Sequence, residues 1–160
     1  MSGCFCAQMA VAGCGGERQI KDALQDMAMQ CSRCGLCCHK TEMMLSKADV
    51  QLLGSRGHNK NEFLHLDKQG YAKLQNRKGC CVFYDEDKSS CRVYADRPQG
   101  CHIYPVVHSE EDGIIVDELC PMKTTVTGAE MAGKGKEVIR LLKIIDREAK
   151  ERTRLAYTKS

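Results

Sequence analysis

The stretch Cys31-Ser32-Arg33-Cys34-Gly35-Leu36-Cys37-Cys38 brings four thiols into eight residues, with a glycine where the chain must turn tightly. Thiols at i, i+3 and i+6 can converge on one centre if the backbone coils around it. Gly35 permits a positive φ and a close approach of backbone N–H groups to anionic sulfur. The chemistry such a run supplies is ligation of a soft metal. Cys37 and Cys38 add a constraint, because adjacent side chains leave a strand on opposite faces and a helix about 100° apart. The pair is read as pointing at two centres, or at one cluster with several irons.

Four more cysteines stand where they can complete such a site. Cys81 and Cys91 lie on β-like pieces, Cys81 to Tyr84 and Cys91 to Tyr94, with a turn at Asp85-Glu86-Asp87-Lys88 between them. In a hairpin both can face one centre. Cys101 stands between Pro98 and Pro105, which restrain the backbone on either side. Cys120 follows a strand read at Gly113 to Asp117 and precedes Pro121. The run C-x-x-C-G-x-C is similar to the opening of the bacterial ferredoxin motif, and Cys-Pro to its end. The likeness covers three ligands at the start, since Cys38 follows Cys37 at once.

A chain of 160 residues allows one domain with extensions. Twelve cysteines, few aromatic residues and no Trp describe a fold stapled by disulfides or by metal. Before Cys14 there is neither a basic start nor a clean apolar run, and nowhere do 18 apolar residues follow one another. The expectation is a cytoplasmic protein with no membrane span, in a reducing compartment where such cysteines mean metal. The formal charge of +3 counts every thiol as neutral. Eight thiolates on two divalent ions would bring it to about −1, so the basicity is no argument for nucleic acid.

Elements must position these thiols. Residues 1–16 read as a flexible Cys- and Gly-rich segment carrying Cys4, Cys6 and Cys14. Residues 17–127 read as the cysteine-cluster domain. It opens on a helix from Glu17 to Gln30, whose Ile20, Leu24 and Met27 share a face, with Met27 and Met29 as core filler. Ser46 to Asp49 reads as a capping box opening a short helix that Gly54 and Gly57 close. Short strands follow from Tyr71, and His58 and His65 read as surface residues. Residues 128–160 read as a C-terminal amphipathic basic helix, with Val138, Leu141, Leu142, Ile145 and Ala149 on its apolar face. The fold class is α+β: a small metal-stabilised domain of short β-hairpins with flanking helices.

The ordered set Cys31-x-x-Cys34-Gly35-x-Cys37-Cys38, Gly79-x-Cys81-x-Phe83, Cys91-x-x-Tyr94, Arg97-Pro98-x-x-Cys101 with Tyr104-Pro105, and Cys120-Pro121 resembles the YkgJ-like cysteine-cluster family, a zinc- or iron-chelating domain. A similar domain occurs in flagellin lysine N-methylase. The resemblance implies a metal-ligand set of Cys31, Cys34, Cys37, Cys38, Cys81, Cys91, Cys101 and Cys120. Two positions depart from it, His102 where the family commonly has Arg and Val106 where it has Phe. His102 is read as a donor to sulfur, with a ninth ligand as the alternative. Cys80, Cys4, Cys6 and Cys14 lie outside the pattern.

No Gly-rich nucleotide fingerprint, Walker loop or H-E-x-x-H is present, so the chain is not expected to be an independent enzyme, and no catalytic residue is assigned. The reading is an iron–sulfur protein with one or two 4Fe–4S clusters, acting in electron transfer or as a cluster-handling accessory. The alternatives are a structural zinc module with two Cys₄ sites and a metal chaperone. A protein partner is expected at the C-terminal helix or the N-terminal thiols.

Overall fold

The computed structural model describes Met29 and residues 31–158. The expected N-terminal segment with Cys4, Cys6 and Cys14, and nearly all of the helix expected from Glu17 to Gln30, lie outside the described residues.

Helix α1, Lys47–Ser55, starts where Ser46 and Asp49 exchange capping bonds: Asp49 N–H donates to Ser46 Oγ, and Ser46 N–H donates back to the Asp49 carboxylate. Its Leu53 is fully buried. A single turn, α2 (Lys60–Phe63), leads into β1 (Leu64–Leu66), which pairs antiparallel with β2 (Ala72–Leu74). The β1–β2 turn is set by Asp67, whose Oδ1 accepts from Gln69 N at 3.0 Å and Tyr71 N at 2.8 Å. Two smaller ladders follow, β3 (Asn76–Arg77) with β4 (Cys80–Cys81) and β5 (Tyr84–Asp85) with β6 (Ser90–Cys91). Leu45, Leu53, Phe63, Ala72, Leu74, Cys81, Phe83 and Val93 pack together as a first core beneath these elements.

A second core joins the other half. Helix α3 (Gln99–Ile103) runs into the hairpin β7 (Val106–Ser109) and β8 (Gly113–Val116), and then a 30-residue helix, α4 (Gly128–Tyr157), packs on α3, β7 and β8. Thr127 caps α4 by accepting from Glu130 N–H. Val138, Leu141, Ile145 and Ala149 are buried and recur at helical spacing, and the first three pack with Ile103 and Val106. Each such side chain removed from water contributes about 1.5–3 kcal/mol.

The two halves are latched by α4. Its buried Glu148 accepts from Lys47 N–H at 2.7 Å, and Arg152 donates to Gly70 O at 2.8 Å. Gly70 has φ +86°, and a Cβ there would stand 2.6 Å from Ala149 O, so only glycine lets the β1–β2 turn touch this helix. The result is an α+β domain of helices and short two-stranded antiparallel hairpins.

Several elements differ from the sequence expectation. The strand expected from Cys81 to Tyr84 divides between β4 and β5, because Gln75 O takes Val82 N–H while Phe83 O takes Arg92 N–H. The polar stretch around His65 forms β1, and Val106–Ser109 forms the partner of β8. Cys101 lies on helix α3 rather than in a rigid loop. The cap of that helix is remote, since Gln99 N–H donates to Asp49 Oδ1 at 2.9 Å.

Candidate metal centre

The cysteine loop turns at Gly35, which has φ +77° and lies buried beneath the Tyr84 ring. Cys38 N–H donates to Gly35 O at 2.8 Å and closes a 3₁₀ turn over Leu36–Cys38. Lys40 N–H then bonds Gly79 O at 2.6 Å, and His39 bridges to Cys80. The loop is thereby tied to the β3–β4 hairpin, whose last residue is Cys81. Cys91 stands opposite Tyr84 in the next ladder. Asp49, through the cap of α3, fixes the helix that carries Cys101, and Cys120 is held in a turn by its N–H bond to Asp117 O.

These elements bring Cys31, Cys34, Cys37, Cys38, Cys81, Cys91, Cys101 and Cys120 to the wall of one cavity of about 380 Å³. Leu74, Phe83, Val93 and Pro98 supply apolar wall, and Arg33, Arg97 and Lys134 supply positive charge. Cys80, next in line to Cys81, faces elsewhere: its Sγ is 3.5 Å from His39 Nδ1 and 3.6 Å from Glu86 Oε1. His102 lines the cavity from an exposed position, while His58 packs its ring on the edge of Phe83 with centroids 5.0 Å apart and His65 is exposed on β1. None of the nine described cysteines is in a disulfide. Among the described residues no three His, Cys, Asp or Glu side chains already stand in position to hold a single ion.

Backbone N–H groups are aimed at the sulfurs. Arg33 N donates to Cys31 Sγ at 3.4 Å, and the backbone N–H groups of Phe83, Val93 and Met122 act likewise on Cys81, Cys91 and Cys120. In each case the donor is two residues beyond the thiol, and each such bond favours the thiolate. Burial works the other way: it pushes the thiols of Cys81, Cys91, Cys101 and Cys120 up, with neighbouring thiols adding to the rise. The Cys37 and Cys38 side chains are hydrogen-bonded to each other. The bond from Cys38 lowers Cys37 to about 7 and raises Cys38.

Two features of the wall were not singled out by spacing. Arg33 and Arg97 stand over the Tyr94 ring at 4.4 and 4.1 Å from its centroid, so two guanidinium groups are pinned beside the thiols. The Tyr104 hydroxyl is buried and makes no hydrogen bond of ordinary length among the described residues, with the Asp117 side chain close enough to interact with it. Burial, followed by the charges of Asp117 and Cys120, holds it far above the usual phenol range, so it remains a donor. A buried donor, clustered thiols with aimed N–H groups, and compensating cations fit a thiolate-ligated metal group.

A family model, CxxCxxCC, "Putative zinc- or iron-chelating domain", matches residues 30–121. No curated protein and no solved structure matches the chain. The family match spans more than half of the sequence and all eight thiols of the cavity wall, and the chain therefore belongs to the CxxCxxCC family of metal-chelating domains.

Proposed function

We propose that this metal-binding protein is an iron–sulfur protein, its thiolate ligands drawn from the eight cysteines of the cavity wall. The observation that carries the reading is the lining of one cavity of about 380 Å³ by eight thiols, twice the four that one tetrahedral ion takes. The ferredoxin-like spacing of Cys31, Cys34 and Cys37 and the remote Cys120-Pro121 point the same way. An iron–sulfur group supplies one-electron chemistry when bound. The chain's own part is to exclude water with Phe83, Val93 and Leu74, to offset thiolate charge with Arg33, Arg97 and Lys134, and to offer the Tyr104 hydroxyl to sulfur.

The role that follows is electron transfer or cluster handling in a cytoplasmic setting, in service of another protein. Exposed Lys143, Arg147, Lys150 and Arg154 on α4 form a basic face for an acidic partner. Among the described residues no helix is long and apolar enough to cross a membrane.

Anaerobic purification with a visible spectrum tests the reading. The expected protein is coloured, bleaches with dithionite and recovers with a mild oxidant while its iron stays bound, because thiolate-ligated iron changes valence. A colourless protein with about two zinc ions per chain and no redox-dependent spectrum would overturn it, since zinc is fixed as d¹⁰, and would leave the structural zinc module.

A further inference from the structure

Eight cations stand on α4 between Lys134 and Arg154, and they fall into two classes. Two serve the fold: Lys134 pairs with Glu130 at 2.8 Å, and Arg152 pairs with Glu148 at 3.3 Å while donating to Gly70 O. The other six, Lys136, Arg140, Lys143, Arg147, Lys150 and Arg154, are all exposed and make no ion pair with another described residue. Their spacing alternates strictly, four residues and then three, from Lys136 to Arg154. At about 100° per residue this holds all six within about 80° of the helix circumference, in a straight row about 27 Å long. Buried Val138, Leu141 and Ile145 occupy the opposite side of the helix. Asp146 and Glu151, which border the row, are engaged elsewhere: Glu151 holds Lys47 at 2.8 Å, and Asp146 accepts from the Tyr71 hydroxyl at 3.0 Å.

We propose that this row docks an acidic α-helix of a partner protein, one whose carboxylates recur at the same alternating steps of three and four residues. The proposal rests on the reading of a basic face for an acidic partner and deepens it by naming the shape of that partner. A second helix is a straight rod that can run beside α4 over the whole row, so its carboxylates meet the six cations in register. Each exposed pair is weak, and a row of them steers and orients more than it holds. That suits a complex that must form and part quickly. Duplex nucleic acid fits the same row less well. A helix lying in the major groove, about 12 Å wide, has phosphates on both walls. There α4 would turn exposed Glu137 and Asp146, each about a quarter turn from the row, toward those walls. The apolar face of α4 is taken by the core, so the helix has none to sink into a bilayer.

The test titrates the full chain, purified anaerobically, into two fluorescent peptides of identical composition and about three heptads in length. One carries Glu at alternating steps of three and four among Ala and Gln; the other spreads the same Glu residues around the helix. The stepped peptide is expected to bind at least about tenfold more tightly than the spread one, as several exposed pairs together would give. That preference should fade as added salt shortens the screening length to about 8 Å. Lys143→Ala, Arg147→Ala, Lys150→Ala and Arg154→Ala combined in one variant should cost at least about tenfold in affinity, with helical signal and metal content unchanged, since alanine favours the helix and no internal pair is removed. Lys60→Ala, Lys68→Ala, Arg77→Ala and Lys88→Ala combined remove the same charge from exposed positions off α4 and should leave binding within about twofold of wild type. Equal affinity for the two peptides, lost for both in the α4 variant, overturns the helical partner while leaving the basic face standing. Binding of neither peptide overturns both. Tighter binding of duplex DNA or of phosphatidylserine vesicles than of the stepped peptide overturns the proposal in favour of nucleic acid or a lipid surface. None of these outcomes bears on the metal reading, which the visible spectrum decides.

Discussion

Gly35→Ala tests whether the geometry of the cysteine loop is what makes the site. The substitution acts twice. It places a side chain at φ +77°, where an L-residue is disfavoured by roughly 1–2 kcal/mol, partly offset by about 0.4–1 kcal/mol because alanine restricts the unfolded chain. The new methyl also enters the Tyr84 ring, with Cζ only 2.6 Å from the Cβ position, an overpacking worth about 1–3 kcal/mol. The expected total is about 2–4 kcal/mol. In a Tyr84→Ala background the collision vanishes and only about 1 kcal/mol of backbone strain remains. Urea unfolding of wild type, both single variants and the double variant, at one fixed free-metal concentration, gives the cycle. The coupling should favour the double variant by about 1–3 kcal/mol. Energies that add to within about 0.5 kcal/mol would mean that Tyr84 does not cover Gly35, and the loop geometry would be refuted.

Three further outcomes are expected. Tyr104→Phe should fold and load normally, since its hydroxyl makes no hydrogen bond of ordinary length among the described residues, but should release metal to a chelator about ten- to a hundredfold faster if a charge-assisted bond worth about 1.5–3 kcal/mol forms on loading; unchanged release would refute the donor role. Asp49→Ala removes an acceptor that binds Ser46 N at 2.9 Å, Ser46 Oγ at 2.7 Å and Gln99 N at 2.9 Å, so about 3 kcal/mol of stability should be lost on urea unfolding and metal content should fall as α3 loosens under Cys101. A loss below about 1 kcal/mol would remove Asp49 from the positioning of Cys101. Metal uptake should strengthen as pH rises from about 6 to 8. Burial holds the metal-free thiols of Cys81, Cys91, Cys101 and Cys120 above their ordinary value, so they are protonated at neutral pH and each releases a proton on becoming a ligand. Cys37, at about 7, contributes less as pH passes that value. Titration calorimetry in two buffers of different ionisation heat counts the protons, and pH-independent uptake would contradict the thiolate account.

Much of the site was legible because thiol spacing is a local code. The three-residue steps from Cys31 to Cys37, the need for a positive φ at Gly35 and the capping box at Ser46 are all written within a few residues, and the structure has Gly35 at φ +77° and the box closed. The apolar stripe of α4 was readable for the same reason, since Val138, Leu141, Ile145 and Ala149 recur at helical spacing. What the sequence hid depends on distant partners. Helix α3 takes its cap from Asp49, and strand β1 exists because Leu64–Leu66 finds Ala72–Leu74 across a turn built by Asp67. Strands of two or three residues carry too little period to be read alone. Tyr104 appeared only as part of the Tyr104-Pro105 punctuation, and its hydroxyl stands out through burial that no local pattern encodes. Likewise, Cys80 and Cys81 are equivalent in composition, and only the ladder register turns one to His39 and Glu86 and the other to the cavity.

The most direct measurement is metal content per chain, by elemental analysis after anaerobic purification, for wild type, for Cys34→Ser, Cys81→Ser, Cys91→Ser and Cys120→Ser, and for Cys80→Ser as the control. The account predicts that each of the four cavity substitutions lowers bound metal and that Cys80→Ser retains the wild-type amount, because its thiol faces His39 and Glu86 rather than the cavity. A loss at Cys80 equal to that at Cys81, or full metal content in all four cavity variants, would contradict it.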